Sequence, residues 1–214
     1  MLPTSLALLV ALAGPPLFVV IPDRLIGESP SPGVLAVLQL LYCGLAGFVV
    51  WLVIRVEHLT LRSIGVRRPG WSTVVSAILV TLGVLYLLPL ITTPLVKALG
   101  SEGFETGLRR LARLPAWFRV LAGITGGIVE ETLYRGYAVE RLGTITGRRW
   151  LGGALSAIAF GLAHIPAWGT GFALGADLPF GIVMTLFYLW KRDLLANMLA
   201  HSTALVVGVL TAVP

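Results

Sequence analysis

Apolar residues recur in long runs along almost the whole chain, and polar residues are gathered in the short stretches between these runs. A helix needs roughly 20 predominantly apolar residues to cross a bilayer, where its own hydrogen bonds satisfy the backbone. We therefore predict an all-α, polytopic transmembrane helical bundle of about seven spans, within a range of roughly six to eight. The predicted spans cover residues 2–22, 34–54, 73–95, 120–139, 151–164, 180–190 and 194–213.

Proline and glycine interrupt this pattern at several places. The sequence Gly14-Pro15-Pro16 predicts a kink or a break in the first span, because proline cannot donate the helical hydrogen bond. Pro89 and Pro94 predict an irregular end to the third span. The glycine-rich run 169–175 is typical of a connection, so we place a loop between the fifth and sixth spans.

Residues 104–119 differ in kind from the spans. Phe104, Leu108 and Leu111 follow helical spacing, while most of the charged residues fall elsewhere around the axis. This pattern predicts a short basic amphipathic helix in the membrane interface, ended by Pro115. An ordinary solvated loop is the alternative.

Composition agrees with a membrane protein. Of the 214 residues, 57% are hydrophobic and only 12% are charged, whereas soluble domains carry about 25% charged residues. The mean hydropathy is +0.91. We predict one integral membrane domain over residues 1–214. The single cysteine, Cys43, excludes an intrachain disulfide framework.

The net charge of +6 comes mainly from basic residues between the apolar spans. There they set orientation and meet lipid headgroups, so the expected partner is the bilayer and not nucleic acid. One set of loops holds nine Lys and Arg residues and the opposite set holds six. This difference predicts a cytoplasmic N-terminus. Fourteen Arg against two Lys indicate a prokaryotic source, and hence the cytoplasmic membrane.

The segment EETLYRG, residues 130–136, places two carboxylates and a guanidinium in an apolar span. Each such charge costs about 2.5 to 3.5 kcal/mol at the centre of a membrane helix, so function is the first hypothesis. Glu131 and Arg135 are i,i+4 neighbours that can neutralise each other. Glu130 points to a different face and has no local partner. A purely structural ion pair is the alternative.

Two of the three histidines, His164 and His201, also lie in or beside apolar spans. With Glu130 they occupy three separate spans, at depths that can coincide given a rise of about 1.5 Å per residue. We therefore predict that the three side chains can converge. Any one of them alone would more often be a packing residue than a catalyst.

A glutamate and two histidines have three chemical uses. They can bind a catalytic Zn²⁺ with one position open for water. They can also activate a water and stabilise an oxyanion without metal, or they can relay protons in a transporter. Asn197 lies four residues before His201, where it can orient the ring, assist the oxyanion or cap the helix start.

EETLYRG (EExxxR), then FGLAH at residues 160–164 (FxxxH), then His201 on a later span, resemble the three motifs of the CPBP or Abi family. This family comprises membrane proteases related to the type II CAAX prenyl endopeptidases. The resemblance covers residues 123 to about 208, and it implies a protease core at about 117–214.

The resemblance also implies roles for single residues. Glu130 and His164 would activate the attacking water, and His201 would stabilise the oxyanion. Glu131 and Arg135 would shape the site, and Phe160 opens the FxxxH motif. The chain departs from the family at Leu205, where the last motif has Asn or Asp. Losing one oxyanion donor typically costs 10²- to 10³-fold in rate, although Asn197 or Ser202 can be considered as substitutes.

We therefore expect a membrane-embedded endopeptidase of CAAX prenyl protease type, of glutamate or metallo type. Its expected substrate is a membrane-bound protein or a lipidated peptide. We expect it to require no cofactor; if a divalent metal such as zinc is needed, Glu130, His164 and His201 would hold it. The alternatives are a non-catalytic membrane immunity or binding protein and a proton-coupled transporter.

Overall fold

The computed structural model describes residues 2–26 and 31–212, and every regular element within these ranges is helical. This confirms the predicted all-α class. The α-helices are α1 (Leu2–Ile26), α2 (Pro32–Arg55), α3 (Trp71–Leu82), α4 (Pro89–Leu99), α5 (Glu102–Arg113), α6 (Ala116–Glu130), α7 (Glu140–Thr146), α8 (Arg149–Ala163), α9 (Ile165–Phe172), α10 (Leu178–Lys191) and α11 (Leu194–Ala212). The remaining regular elements are three π-helical segments, Gly83–Leu87, Glu131–Val139 and Ala173–Asp177, and a 3₁₀ turn, Leu61–Ile64.

Several helices are suited to a membrane. In the described ranges, Pro32–Arg55, Ile165–Lys191 and Leu194–Thr211 are long and apolar enough to cross it. The pair Trp71–Leu87 and Pro89–Leu99, bent by 44°, makes a fourth candidate, and two shorter apolar helices cover Thr4–Phe18 and Arg149–Ala163. Large side chains such as Leu40 and Leu90 are more than 70% exposed, as expected for surfaces that face lipid. The chain is an integral membrane protein.

The seven predicted spans fall on helical segments, apart from the turn residues Leu88 and His164 and from residue 213, which lies outside the described residues. Backbone details decide three local predictions, of which the irregular end of the third span is confirmed. α1 does not end at Gly14-Pro15-Pro16. The third span changes to π-helix at Gly83–Leu87 and bends where irregularity was predicted. The predicted loop at 169–175 is wrong, because the chain stays helical around a single break at Gly169, where φ is 76°.

The amphipathic segment is helical, as α5, so the solvated loop is wrong. α5 packs on α9: the ring of Phe104 stacks on that of Phe172 with centroids 4.2 Å apart. Gly103 and Gly107 lie against Trp168. The position of α5 in the membrane interface stays a prediction.

Three basic loops that the sequence assigns to one side of the membrane contact one another. Arg141, at the start of α7, donates two hydrogen bonds to Glu57, which follows α2. Arg192, between α10 and α11, donates two to Glu140. The three loops therefore lie at the same end of the bundle.

Close packing of α6 on α11 positions the functional side chains. A Cβ atom at Gly127 would lie 2.7 Å from the Cα of Ser202, too close for any side chain. Small residues allow such approach between membrane helices. Ser202 follows His201, so this contact brings that histidine beside the end of α6, where Glu130 and Glu131 lie.

Candidate active site

Glu130, His164 and His201 meet although they lie on α6, at the end of α8 and on α11. Oε2 of Glu130 is 3.9 Å from Nε2 of His164 and 3.7 Å from Nε2 of His201. The Glu130 and His164 side chains keep 14% and 18% of their exposure, whereas His201 keeps 1%. The cluster therefore has one open side, formed by Glu130 and His164.

The two histidines are oriented by their Nδ1 atoms. Nδ1 of His164 lies 2.8 Å from the backbone oxygen of Phe160, and Nδ1 of His201 lies 2.8 Å from Oε1 of Glu131. A carbonyl or carboxylate oxygen only accepts, so we assign a proton to Nδ1 of both rings. In a neutral ring the lone pair is then on Nε2, which faces Glu130.

Glu131 is a fully buried centre of polar contacts. Its carboxylate accepts from Nδ1 of His201 and from Nδ2 of Asn197, at 2.8 and 3.1 Å. The guanidinium of Arg135 lies 3.1 Å away, as the i,i+4 spacing predicts. Glu131 and Arg135 are both 0% exposed. Glu131 therefore holds His201 in place, and Arg135 neutralises the charge of Glu131.

The ring of Phe160 packs against side chains of this cluster. The guanidinium carbon of Arg135 lies 4.3 Å from the centre of its ring, in cation–π geometry. The ring of His164 lies 4.4 Å away, centre to centre. Phe180 covers His201 at 4.6 Å. These rings restrict both histidines and keep the charged groups away from lipid.

Asn197 acts on Glu131 and not directly on the ring of His201. Its Nδ2 also donates to the backbone oxygen of Met184, at 2.8 Å. The start of α11 is instead capped by Asp193, whose Oδ1 accepts from the backbone N–H of Ala196. Of the three alternatives for Asn197, orientation of the ring through Glu131 fits best.

Two residues beside the site escaped the sequence analysis. The hydroxyl of Tyr42, on α2, donates to Oε1 of Glu130 at 3.0 Å. Asp177, which precedes α10, interacts electrostatically with His164, and its Oδ2 is buried without a hydrogen-bond partner among the described atoms. A tyrosine in an apolar span gives no specific signal. Asp177 was passed over because it lies close to a run taken for a loop.

Leu205 lies one turn after His201 and points towards α6, where its Cδ1 would be 3.4 Å from a Cβ atom at Gly126. An apolar side chain thus takes the position of the family's amide or acid. Ser202 does not replace it, because its hydroxyl donates to the backbone oxygen of Ile124.

The separations within the cluster bear on whether it can bind a metal ion. Zinc holds nitrogen ligands at about 2.0–2.1 Å in a tetrahedron, so two ligands lie about 3.3 Å apart. The separations of Glu130 from the two histidines, 3.7 and 3.9 Å, are longer. Among the described residues, no group of three or more His, Cys, Asp or Glu is arranged to hold a metal ion. Metal dependence stays a prediction.

The helices and the site together define an all-α integral membrane protein with a buried glutamate–histidine cluster. The sequence matches the model of the family described as type II CAAX prenyl endopeptidase Rce1-like over residues 112–207. This segment, which carries the three motifs, belongs to that family and confirms the resemblance. At the level of the family, this match supports a CAAX-type intramembrane protease. The comparisons with curated proteins and with solved structures gave no significant match.

Proposed function

We propose that this protein hydrolyses a peptide bond in the membrane by means of a water that Glu130 and His164 activate. The observation that carries the proposal is the 3.9 Å between Oε2 of Glu130 and Nε2 of His164. This distance is too long for a direct hydrogen bond. A water that donates one hydrogen bond to each atom would bridge it, with its lone pairs free for attack.

The proposed reaction begins when the water oxygen bonds to the substrate carbonyl carbon and one water proton passes to Glu130. His164, with its proton on Nδ1 and its lone pair on Nε2, orients the water. The carbonyl becomes an oxyanion. Glu130 then returns the proton to the amide nitrogen as the C–N bond breaks, which leaves a carboxyl group and an amine.

His201 is the proposed donor to the oxyanion. Donation from its Nε2 requires a second proton on the ring, since Nδ1 donates to Glu131. The carboxylates of Glu130 and Glu131, which carry the opposite charge to this imidazolium, lie 3.7 and 2.8 Å from its nitrogen atoms. With Arg135, the two carboxylates and the imidazolium form a cluster of zero net charge.

Neither Asn197 nor Ser202 replaces the missing amide at Leu205. Nδ2 of Asn197 is held by Glu131 and Met184, and the Ser202 hydroxyl is held by Ile124. We therefore expect a rate about 10²- to 10³-fold below that of an enzyme with both donors.

Family membership supports a prenylated CAAX protein or peptide as the substrate. The asymmetry of Lys and Arg supports an N-terminus in the cytoplasm, and the preference for Arg supports a prokaryotic cytoplasmic membrane. In this mechanism a metal is not required. The alternative is a zinc ion bound by Glu130, His164 and His201 after these side chains move closer.

Cleavage of a fluorogenic prenylated CAAX peptide by purified protein in detergent tests the proposal. We expect Glu130→Gln and His164→Ala to lower kcat by about 10²- to 10⁴-fold, because each removes a group that activates the water. Glu102→Gln, on the exposed face of α5, is the matched control and should leave kcat unchanged. The same peptide without its prenyl group measures the contribution of the lipid.

Wild-type activity in Glu130→Gln would contradict the assigned base. Folded wild type that cleaves neither peptide would contradict the protease and favour a binding protein, whereas pH-coupled flux in vesicles would favour a transporter. Elemental analysis and chelation decide between the metal-free and zinc mechanisms.

A further inference from the structure

Tyr42 connects the N-terminal helices to the proposed base. Its hydroxyl donates to Oε1 of Glu130 at 3.0 Å, while the other carboxylate oxygen, Oε2, faces the two histidines. The two oxygens thus have separate partners. Tyr42 lies on α2, 70 residues before the segment 112–207 that matches the family.

Neighbouring contacts fix the position of this tyrosine. One turn earlier on α2, Gln39 donates to Thr125 on α6. The ring of Tyr42 also packs on Phe18 of α1, with centroids 5.0 Å apart. Helices α1 and α2 therefore hold the hydroxyl in a defined place against the end of α6.

We propose that Tyr42 is a positioning residue for the hydrolysis proposed above, on which this inference rests. A carboxylate at the end of a side chain rotates readily about its last bond. A hydrogen bond to one oxygen stops this rotation and keeps the other oxygen directed at the water.

Other titratable groups face Glu130 as well, and the test has to separate their effects from that of Tyr42. They are His164 at the end of α8, Asp177 before α10, His201 on α11, and Tyr134 in the π-helical segment after α6. None of these groups changes when the Tyr42 hydroxyl alone is removed.

The test is cleavage of the fluorogenic prenylated CAAX peptide by Tyr42→Phe, with kcat and KM measured separately. We expect kcat to fall roughly 10-fold or more, the size of one hydrogen bond to a charged group, with KM nearly unchanged. The folded fraction of each variant is measured by size-exclusion chromatography, so that kcat refers to folded enzyme.

Tyr137→Phe is the matched control, because its hydroxyl also donates to a carboxylate, that of Glu57, at the end of the bundle. This variant should keep the wild-type kcat. A Tyr42→Phe enzyme with wild-type kcat would overturn the inference, as would equal losses of kcat in both variants. If Glu130→Gln remains active, the proposed function fails first, and that result is distinct from a wild-type-like Tyr42→Phe.

Discussion

Two adjacent glutamates at the end of α6 have opposite surroundings. Glu131 is fully buried and is matched by the guanidinium of Arg135, the ring of His201 and the amide of Asn197. Glu130 is partly exposed, and it accepts a hydrogen bond from the Tyr42 hydroxyl. One carboxylate therefore has a structural environment, whereas the other has the access that a reacting group needs.

The same substitution should have different effects at these two positions. Glu131→Gln leaves Arg135 buried without its countercharge, and breaking such a pair typically costs about 3–5 kcal/mol. Glu130→Gln should cost about 1 kcal/mol or less, because the amide oxygen can still accept from Tyr42. Thermal unfolding in detergent measures both. Equal melting temperatures would contradict the structural role of Glu131.

At this scale the sequence predicts local pairs better than distant ones. The contact of Glu131 with Arg135 follows from helical spacing and forms within a π-helical segment. The contact between Tyr42 and Glu130 joins residues 88 positions apart, and no local pattern specifies it. The convergence of Glu130 with the histidines was predicted because the three residues lie at similar depths in separate apolar spans.

Among the helices, the contact between α6 and α11 determines whether the site assembles. Gly127 lies where a Cβ atom would meet the backbone of Ser202. Gly126 faces only the end of the Leu205 side chain, at an ordinary contact distance of 3.4 Å. The two neighbouring glycines thus have different tolerance for an added methyl group.

We expect Gly127→Ala to separate α11 from α6, which costs about 1–3 kcal/mol by overpacking and lowers kcat by moving His201. Gly126→Ala should be neutral, or stabilising by up to about 1 kcal/mol through helix propensity. Unfolding and peptide cleavage of the two variants provide the comparison. A Gly127→Ala enzyme that matches Gly126→Ala in both would show that the close approach is not needed.

The helices themselves were largely predictable, because long apolar runs leave few alternatives in a membrane. Except at the end of the third span, the irregularities within these helices were not predictable from the sequence. The π-helical segments Glu131–Val139 and Ala173–Asp177 depend on packing that the hydrophobic pattern does not record. Ser156, for example, donates to the backbone oxygen of Tyr134 at 2.6 Å and ties α8 to the first of these segments. The loop predicted at 169–175 failed for the same reason.

For the molecule as a whole, one polar cluster ties the ends of several helices together. The Glu57 carboxylate accepts hydrogen bonds from three side chains. They are Thr4 of α1, Tyr137 of the π-helical segment after α6, and Arg141 of α7. Partial burial raises the pKa of Glu57, but the hydrogen bonds from Arg141, Tyr137 and Thr4 and the charge of Arg141 outweigh it, so the pKa is lowered.

This shift predicts a pH-dependent stability. A carboxyl with a lowered folded-state pKa stabilises the fold fully above its ordinary value of 4.5, and this contribution is lost as the pH falls through the folded-state pKa. The apparent melting temperature in detergent should therefore decrease when the pH is lowered below about 4.5. This decrease should be smaller in Glu57→Gln than in wild type. Glu102→Gln should behave as wild type. An identical pH profile in Glu57→Gln would contradict the prediction.

The position of His201 on α11, the last described helix, has a consequence for biosynthesis. Synthesis proceeds from the N-terminus, so a chain that is still leaving the ribosome contains Glu130 and His164 before His201 is made. The proposed oxyanion donor joins the site only when α11 packs against Gly127. Under the proposed mechanism, the nascent chain is therefore inactive towards neighbouring membrane proteins until α11 has packed against α6.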